Sequence, residues 1–316
     1  MRVIVHGGAG GVPEEPESRR AVLDEAAETG AAAPTPLDAV EEAVRVLESS
    51  PRFNAGVGGA VQSDGEVRTD AGVMTDDRAV GAACSMPGVE HAVSVARVVV
   101  EETPHGFVSG EHAVALAEAY GVETGVDLWS ERTREKWAEL DPPAGDPAAH
   151  LAWIRDRYGR TDPDGRDEEG EADTRAGDSE TPSGAPGVGD AHDHDTVGAV
   201  AVDGERLAAA TSTGGRWLAL AGRVGDVPQV GSGFYCSPAA GVSATGAGED
   251  IARVTLSRRV AGHIERGLDA EAATELAIEE FGELTGSSAG VIAIDAEGRV
   301  GSAYNSDGMQ TAVATR

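Results

Sequence analysis

An abrupt change of composition near the middle of this 316-residue chain constrains its fold more than any other feature. Residues 159–195 are rich in Asp, Glu, Gly and Pro and contain almost no apolar side chains. Directly after this segment comes the strand-like run Thr196-Val197-Gly198-Ala199-Val200. A long polar segment inside a compact protein is typical of a linker or of a functional segment. We therefore expect two folded parts, 1 to about 158 and 196–316, joined by a disordered acidic linker.

The composition favours a layered protein with many tight turns. The sequence is 40% hydrophobic and holds 43 glycines, whereas aromatic residues make up only 4%. Such a chain suits an α/β or α+β architecture, and its length allows a substantial core to be buried. No segment approaches the ~18 consecutive apolar residues of a membrane span. The start of the chain lacks the pattern of a secretory signal, and Cys84 and Cys236 are its only cysteines, so we expect a cytoplasmic protein with free thiols.

The charge of the sequence is extreme. The formal net charge is -30, and Lys136 is the single lysine among 25 basic residues. Because such a charge repels polyanions, we expect neither nucleic acid nor an anionic membrane as a partner. The acidic residues are spread along the whole chain instead of forming one tail. We interpret this as a surface adapted to high salt, where the Debye length shrinks to about 3 Å at 1 M and repulsion is screened.

Hydrophobic patterns predict the main helices and strands. The segment Thr35-Pro36-Leu37-Asp38 is typical of a helix start, with a capping threonine, a proline in the first turn and an aspartate near the positive end of the helix dipole. A glycine-rich turn is predicted at residues 6–11, directly after a short strand at 3–5. Further strands are predicted at 79–84, 196–202, 206–211 and 289–294, and helices at 37–48, 91–101, 111–120, 249–266 and 270–281.

Thr196 lies at the boundary between the acidic segment and the strand that follows it. It could be an ordinary strand opener. If the preceding peptide bond is cut, however, Thr196 becomes a new N-terminus, and its α-amine can act as the base for its own hydroxyl. The Gly-x-Ser-x-Gly motif of α/β-hydrolases is absent from the sequence. Both interpretations of Thr196 stay open on the residues alone.

Three glycine-containing turns after Thr196 carry side chains suited to a binding site. They are Thr211-Ser212-Thr213-Gly214-Gly215, Gly222-Arg223-Val224-Gly225-Asp226 and Ala244-Thr245-Gly246-Ala247-Gly248. Glycines allow the backbone to approach a ligand closely. Arg223 can bind a carboxylate and Asp226 an ammonium group, which would suit the head group of an amino acid. The alternative is a set of ordinary strand ends with a surface ion pair.

Metal and phosphate sites find little support in the sequence. His192-Asp193-His194-Asp195 are adjacent residues of the acidic segment, and the chain holds no second His/Cys cluster to complete a closed metal site. The glycines of 7–11 are not followed by the Lys-Ser/Thr pair of a phosphate-binding loop. A tight turn is therefore the preferred interpretation of those glycines.

Taken together, eight motifs resemble the plant-type (type III) L-asparaginase and isoaspartyl peptidase family of N-terminal-nucleophile hydrolases. They cover nearly the whole chain apart from the acidic segment. They are His6-Gly7-Gly8-Ala9-Gly10, Phe53-Asn54-Ala55-Gly56, Asp70-Ala71, Asp195-Thr196-Val197-Gly198-Ala199-Val200, Ala209-Ala210-Thr211-Ser212-Thr213-Gly214-Gly215, Gly222-Arg223-Val224-Gly225-Asp226, Thr245-Gly246 and Asn305-Ser306-Asp307-Gly308-Met309.

The resemblance implies an α+β fold, a four-layer αββα sandwich of the N-terminal-nucleophile hydrolase type. It also implies an inactive precursor that cleaves itself between Asp195 and Thr196. The products would be an α chain, residues 1–195, and a β chain, residues 196–316, which form one globular domain. Two such cleaved units are expected to associate as a homodimer.

The same resemblance assigns roles to individual residues. Thr196 is the expected nucleophile, with its freed α-amine as base, and Thr213 orients it. The Thr245 hydroxyl and the Gly246 N–H form the oxyanion hole and contact the substrate. Arg223 is expected to bind the substrate α-carboxylate, and Asp226 its α-ammonium group.

Two supporting features complete the expected site. Asn54 lies near the nucleophile in the family. No cofactor is expected, apart from a structural sodium ion held by main-chain carbonyls of the loop after the first long helix. The residues of that loop are Leu47, Glu48, Ser50, Phe53, Ala55 and Val57.

The expected substrate is a small molecule or dipeptide with a β-amide on an aspartyl head group. L-asparagine and β-aspartyl dipeptides fit this description, and glycosylated asparagine is the alternative. Asp195 stands where many plant-type members carry glycine, and the segment 215–221 differs from the usual family pattern. A homologue that cannot process itself and has no catalytic role is the remaining possibility.

Overall fold

The computed structural model describes residues 1–13, 15–158 and 196–316. The predicted acidic linker 159–195, with the residues 192–195 and the cleavage-site residue Asp195, lies outside these ranges. Over the described ranges the chain forms a mixed α/β fold with nine helices and two β-sheets. The mixed helix and sheet class predicted from composition is therefore confirmed. None of the helices in these ranges has the length and apolar character needed to cross a membrane.

The elements follow one another in an order that begins and ends with strands of the same sheet. Before the acidic segment they are β1 Arg2–Gly10, α1 Pro16–Ala31, α2 Pro36–Glu48, β2 Arg68–Thr75, β3 Val80–Pro87, α3 Ala92–Glu102, β4 Phe107–Ser109, α4 Gly110–Ala119, α5 Glu131–Ala138 and α6 Pro147–Tyr158. After it they are β5 Val197–Asp203, β6 Arg206–Thr213, β7 Phe234–Ser237, β8 Ala240–Gly246, α7 Gly248–Val254, α8 Leu256–Glu265, α9 Ala270–Thr285, β9 Ala289–Asp295, β10 Val300–Tyr304 and β11 Gly308–Thr315.

Strands from both sides of the acidic segment are interleaved in the larger sheet. Its order is β11-β1-β5-β6-β2-β3-β4, in which only β3 and β4 run parallel. Strand β5, which begins directly after Thr196, lies between β1 and β6 and pairs with both. The smaller sheet is antiparallel, with the order β10-β9-β8-β7. Thr196 is thus held near the centre of the larger sheet and away from its edges.

Helix α2 illustrates how local sequence and packing combine. The Thr35 hydroxyl accepts the N–H of Asp38, and Pro36 lies in the first turn, as predicted. Val40 and Leu47 on one face are fully buried, and the helix contacts β5 and β6. Burial of each such side chain contributes about 1.5–3 kcal/mol. Packing therefore holds the helix more strongly than its cap does.

Two hydrophobic cores lie on opposite faces of the larger sheet. Val197 and Ala199 of β5 pack in the core shared with α1, α2 and α3. Val200 and Val202 belong to the other core, which includes the smaller sheet and helices α8 and α9. Because successive side chains of a strand point to opposite faces, Thr196 faces the smaller sheet.

Three tryptophans anchor the loop that follows β6. The Trp137 ring makes edge contacts with Trp129 and Trp217, with ring centroids 5.9 and 6.4 Å apart. Leu218 beside them is buried, and its N–H donates to the Val61 carbonyl at 2.8 Å. The loop 214–222 is therefore fixed between the end of β6 and residue 223.

Two predicted elements differ from the structure. The turn predicted at residues 6–11 is wrong, since β1 continues to Gly10 with an irregular register between His6 and Ala9. The predicted helix 249–266 is divided into α7 and α8, because Thr255 adopts a left-handed backbone with a φ of 51°. Amide groups in the first turn of α8 donate to the carbonyls of residues 231 and 232, and these tertiary bonds set the new helix direction.

Candidate active site

Thr196 and Thr213 face each other on adjacent strands. The pairing of Val197 with Ser212 places them opposite one another, with Thr196 directly before the start of β5 and Thr213 at the end of β6. The Thr196 hydroxyl donates a hydrogen bond to Thr213 Oγ1 at 3.2 Å. Thr196 is only 7% exposed, so this contact is shielded from bulk water. The structure thus brings together the predicted nucleophile and the residue predicted to orient it.

Asn54 fixes the position of Thr213 from the other side. The Thr213 hydroxyl donates to the Asn54 carbonyl at 3.4 Å and accepts the Gly215 N–H at 3.1 Å. The Asn54 side chain donates to the Gly215 carbonyl at 2.6 Å and accepts the Ala60 N–H at 2.7 Å. These bonds tie the loop after α2 to the end of β6.

Strand β8 of the smaller sheet crosses the inner face of β5. A Cβ at Gly241 would lie 2.7 Å from Val200 Cγ1, and a Cβ at Gly198 would lie 2.0 Å from Ser243 Oγ. Gly241 of β8 thus lies beside Val200 of β5, and Ser243, two residues further along β8, lies beside Gly198. Continued by one further step, this register brings residue 245 to the level of residue 196.

Thr245 and Gly246 are the last two residues of β8. The Thr245 hydroxyl is buried and accepts the Ala9 N–H at 3.4 Å. Gly246 has a φ of 133°, and a Cβ there would lie 2.5 Å from the Ser288 carbonyl oxygen. Glycine is required at this position, because any side chain would clash with the main chain of the next strand.

Arg223 and Asp226 lie side by side at the start of α7. A Cβ at Gly248 would lie 2.7 Å from Asp226 Oδ1 and 2.9 Å from Arg223 Nη2. The main ion-pair partner of Arg223 is Glu249, which is bound at two points with distances of 2.8 and 2.7 Å. Asp226 Oδ2 is buried and has no hydrogen-bond partner among the residues that the structure describes. The predicted Arg–Asp pair is thus close in space, while Glu249 is a partner that the sequence analysis missed.

The electrostatics of the two carboxylates differ sharply. Burial raises the pKa of Asp226 to about 7, although the charge of Arg223 acts in the opposite direction. Burial also disfavours the charged form of Glu249, but its hydrogen bonds to Arg223 and the charge of Arg223 lower its pKa to about 2. Glu249 is therefore ionised at neutral pH, and Asp226 is half ionised. An ammonium ligand beside Asp226 would pair with its negative charge and donate a hydrogen bond to Oδ2.

Asp70 is a second residue that the sequence analysis left without a role. It pairs with Thr213 across β2 and β6, and burial raises its pKa to about 7. Glu249 had a possible signal, since it is an acidic residue at the start of a predicted helix, but its partner lies 26 residues away. Asp70 belongs to the motif Asp70-Ala71 that carries the family resemblance.

A buried polar network connects the two sheets beside the threonine pair. His6 Nε2 lies 2.8 Å from Ser243 Oγ, which lies 2.6 Å from Thr211 Oγ1. Thr211 donates to the Gly233 carbonyl at 2.9 Å. Burial lowers the pKa of His6 to about 3, so the imidazole stays neutral and exchanges hydrogen bonds without adding charge.

Two main-chain carbonyls converge on Gly56 in the loop after α2. Gly56 has a φ of 56°, and a Cβ there would lie 2.3 Å from the Glu48 carbonyl oxygen and 2.8 Å from that of Glu90. Carbonyl oxygens are the donors that hard cations prefer. The predicted loop residues are buried or half-buried: Leu47, Glu48, Ser50, Phe53, Ala55 and Val57. The sodium ion expected at this loop stays a prediction. Among the described residues no group of three or more His, Cys, Asp or Glu is arranged to hold a metal.

Comparison with known proteins gives a consistent set of relatives. A family model described as "Asparaginase" matches residues 1–316. The chain is 38% identical over 319 residues to the plant-type L-asparaginase of Pyrococcus furiosus. The match covers 99% of this chain and 95% of that protein. It is 35% identical to the isoaspartyl peptidase/L-asparaginase of Danio rerio, over 99% of this chain and 91% of that protein. It is also 35% identical to the isoaspartyl peptidase of Salmonella typhimurium, over 98% and 94% of the two chains.

Proposed function

Because the chain belongs to the asparaginase family, we propose that it is a self-processing amidohydrolase that releases L-aspartate from β-amides. Its substrates are L-asparagine, β-aspartyl dipeptides or both. The buried hydrogen bond between the hydroxyls of Thr196 and Thr213 carries this proposal, since it joins a potential nucleophile to an orienting group. The names of the relatives, L-asparaginase and isoaspartyl peptidase, support the same class of substrate.

The proposed architecture is the αββα sandwich. The contacts of α1, α2 and α3 with the larger sheet and of α8 and α9 with the smaller sheet support this layer order. The contacts between β5, β6 and β8 support the stacking of the two sheets. Association of two cleaved units as a homodimer and a cytoplasmic location complete the proposal as predictions.

Self-processing begins at the peptide bond before Thr196. The Thr196 hydroxyl attacks the carbonyl carbon of the preceding residue, its proton passes to the departing nitrogen, and an ester replaces the amide. Water then hydrolyses the ester. The products are a free carboxylate at Asp195 and a free α-amine on Thr196. The α chain, 1–195, and the β chain, 196–316, remain joined through the pairing of β5 with β1.

Hydrolysis of the substrate uses the new α-amine as a base. With a reference pKa of about 7.7–8.0, a terminal amine is partly unprotonated near neutral pH and can take the Thr196 hydroxyl proton. The hydroxyl oxygen attacks the side-chain amide carbon, and the proton passes to the leaving ammonia or amino acid. Water then releases aspartate from the ester intermediate. Thr245 and Gly246 donate to the oxyanion, and one such donor is typically worth about 10²–10³ in rate.

The head group of the substrate is held by Arg223 and Asp226. The guanidinium plane suits the α-carboxylate, and the partnerless Asp226 oxygen suits the α-ammonium group. The two charged groups of a zwitterionic head group therefore match the pair, the carboxylate with Arg223 and the ammonium group with Asp226. This arrangement supports amino-acid-like substrates over amides that lack either group.

Denaturing electrophoresis with N-terminal sequencing tests the proposal directly. We expect a β fragment that begins Thr196-Val197-Gly198, and amidase activity that accompanies its appearance. Thr196→Ala should remain uncut and inactive, whereas Thr196→Ser, which keeps a hydroxyl, should process at a reduced rate. A wild-type chain that stays full-length after long incubation would contradict the enzyme proposal and favour a non-catalytic homologue.

A comparison of substrates then narrows the activity. Turnover of asparagine, of β-aspartyl dipeptides and of glycosylated asparagine is measured with the same processed protein. We expect the first two classes to be hydrolysed. Faster turnover of glycosylated asparagine would instead support a glycosylasparaginase-like amidase.

A further inference from the structure

Asp70 is a buried carboxylate beside the threonine pair with no part in the reaction described above. It is 3% exposed and pairs with Thr213 across the strands. The neighbouring strand β3 is irregular at this point, where Ser85 adopts a left-handed backbone with a φ of 57°. The Ser85 N–H donates to Asp70 Oδ1 at 2.7 Å. The bulge thus aims a backbone donor at the carboxylate, and such backbone strain is typical of functional positions.

Packed residues link the inner face of β2, which carries Asp70, to the main chain of Asp226. Gly72, two residues further along the same face, lies so close to the Phe234 ring that a Cβ would approach it to 2.0 Å. Gly233, the neighbour of Phe234, donates its N–H to the Asp226 carbonyl at 3.1 Å. The two carboxylates are therefore linked through adjacent packed residues, and the charge of Asp70 acts on Asp226.

Among the described residues, three carboxylates and two guanidinium groups act on one another here: Glu249, Asp70 and Asp226 with Arg223 and Arg216. Arg223 is bound at two points by Glu249, which balances its charge before Asp70 and Asp226 are counted. Burial raises the pKa of each of these two aspartates to about 7. The Cys84 thiol beside Asp70 stays neutral, because burial and the charge of Asp70 raise its pKa to about 12. After cleavage, the α-amine of residue 196 adds a further titratable group beside Thr213.

We propose that Asp70 binds the α-ammonium group of the substrate together with Asp226. The inference rests on the proposed function, because it concerns the same pocket. An ammonium group offsets the excess of carboxylates over guanidinium groups and donates to Asp226 Oδ2, which has no hydrogen-bond partner among the described residues. It favours the ionised form of both carboxylates, so that binding releases protons near neutral pH. Affinity for an amino-acid head group should therefore rise as pH increases through about 7.

L-Aspartate is a suitable probe, because the reaction product binds without being consumed. Calorimetry on the full protein compares wild type with Asp70→Asn between about pH 6 and about pH 9. We expect Asp70→Asn to bind aspartate about tenfold more weakly at about pH 8, with a shallower dependence on pH. Succinate, which lacks the α-ammonium group, should bind this variant at least as well as wild type.

Two further variants separate charge from structure. Asp70→Glu keeps the charge and should retain most of the preference for aspartate over succinate. Asp76→Asn is the matched control, since Asp76 follows the far end of β2, roughly 20 Å from Asp70, and pairs there with Arg206. We expect it to bind both ligands like wild type.

The outcomes distinguish this inference from the proposed function. Unchanged aspartate binding to Asp70→Asn, or equal weakening of aspartate and succinate, would overturn the role of Asp70. If that variant does not fold, Asp70→Ser, which also removes the charge, takes its place and is judged by the same two comparisons. Wild type without any affinity for aspartate would also overturn the inference. Failure of the proposed function is seen separately, as an uncut chain without amidase activity.

Discussion

Glu249 occupies two of the donors through which Arg223 would bind a substrate carboxylate, at 2.8 and 2.7 Å. Arginine has five N–H donors in a planar fork, so the other edge of the guanidinium is the part left for a ligand. The arrangement fixes the fork in one orientation. Lysine has no such fork and cannot hold Glu249 and a substrate carboxylate in this geometry.

Arg223→Lys should therefore raise the KM for asparagine about tenfold or more, with a smaller effect on kcat. Steady-state kinetics on the processed protein provide the measurement. Arg206→Lys is the control, since Arg206 pairs with Asp76 at the opposite end of β6. A KM that is unchanged in Arg223→Lys would remove Arg223 from the substrate site.

Thr213→Val should slow both self-processing and hydrolysis, because a methyl group of similar size replaces the hydroxyl that accepts from Thr196. An orienting contact of this kind is worth about 10²-fold in rate. Thr213→Ser keeps the hydroxyl and should retain most of the activity. The rate of appearance of the β fragment on denaturing gels gives one readout, and kcat gives the other. Equal rates for wild type and the valine variant would show that the contact is not used.

The sequence predicted the parts of this site that depend on local signals. The capping pattern at Thr35 and the apolar run after Thr196 gave helix α2 and strand β5 nearly within one residue of their observed bounds. The motifs that carry the family resemblance named Thr213 and Arg223, which the structure places close to Thr196 and Asp226, respectively.

The contacts that the sequence could not give depend on long-range packing. Arg223 pairs with Glu249, although β7 and β8 separate the two residues in the chain. The hairpin of these strands brings the start of α7 back beside Arg223. The glycine-rich stretch after His6 has the composition of a turn, yet pairing with β11 extends it as a strand. The break at Thr255 arises from hydrogen bonds to a distant loop, which no local propensity encodes.

Asp226→Asn should stabilise the protein at about pH 8 and leave its stability unchanged at about pH 4. The pKa of Asp226 is about 7 in the fold, above the value of 3.8 for an unperturbed aspartate. Ionisation of this carboxylate therefore lowers the free energy of unfolding progressively as the pH rises from about 4 to about 7. Above that range the loss stays constant. Removal of the charge should recover on the order of 2–4 kcal/mol. Thermal unfolding at the two pH values measures the difference, and equal gains at both would show that ionisation is not the cause.

Gly198→Ala should strongly destabilise the fold. Its Cβ would lie 2.0 Å from Ser243 Oγ and 2.5 Å from His6 Nε2, inside the buried network between the sheets. Overpacking of this kind costs about 1–3 kcal/mol or more. The double variant Gly198→Ala/Ser243→Gly should regain part of that loss, since it removes the closest clash. Gly106→Ala serves as the control, because its nearest neighbour would be 3.4 Å away. Urea unfolding of the four proteins checks this order.

The stability of the whole protein should depend strongly on salt. The chain carries 55 acidic and 25 basic residues, so that even complete pairing would leave 30 acidic groups without a partner. Unscreened repulsion between them opposes the compact state, and the Debye length falls from about 14 Å at about 0.05 M salt to about 2 Å at about 2 M. We expect the Tm to rise by more than about 10 °C between these two KCl concentrations. Circular dichroism melts provide the measurement, with sucrose at matched water activity as the control for a general solute effect. An equal Tm at the two salt concentrations would contradict salt adaptation, and an equal gain in sucrose would assign the effect to solute exclusion instead of charge screening.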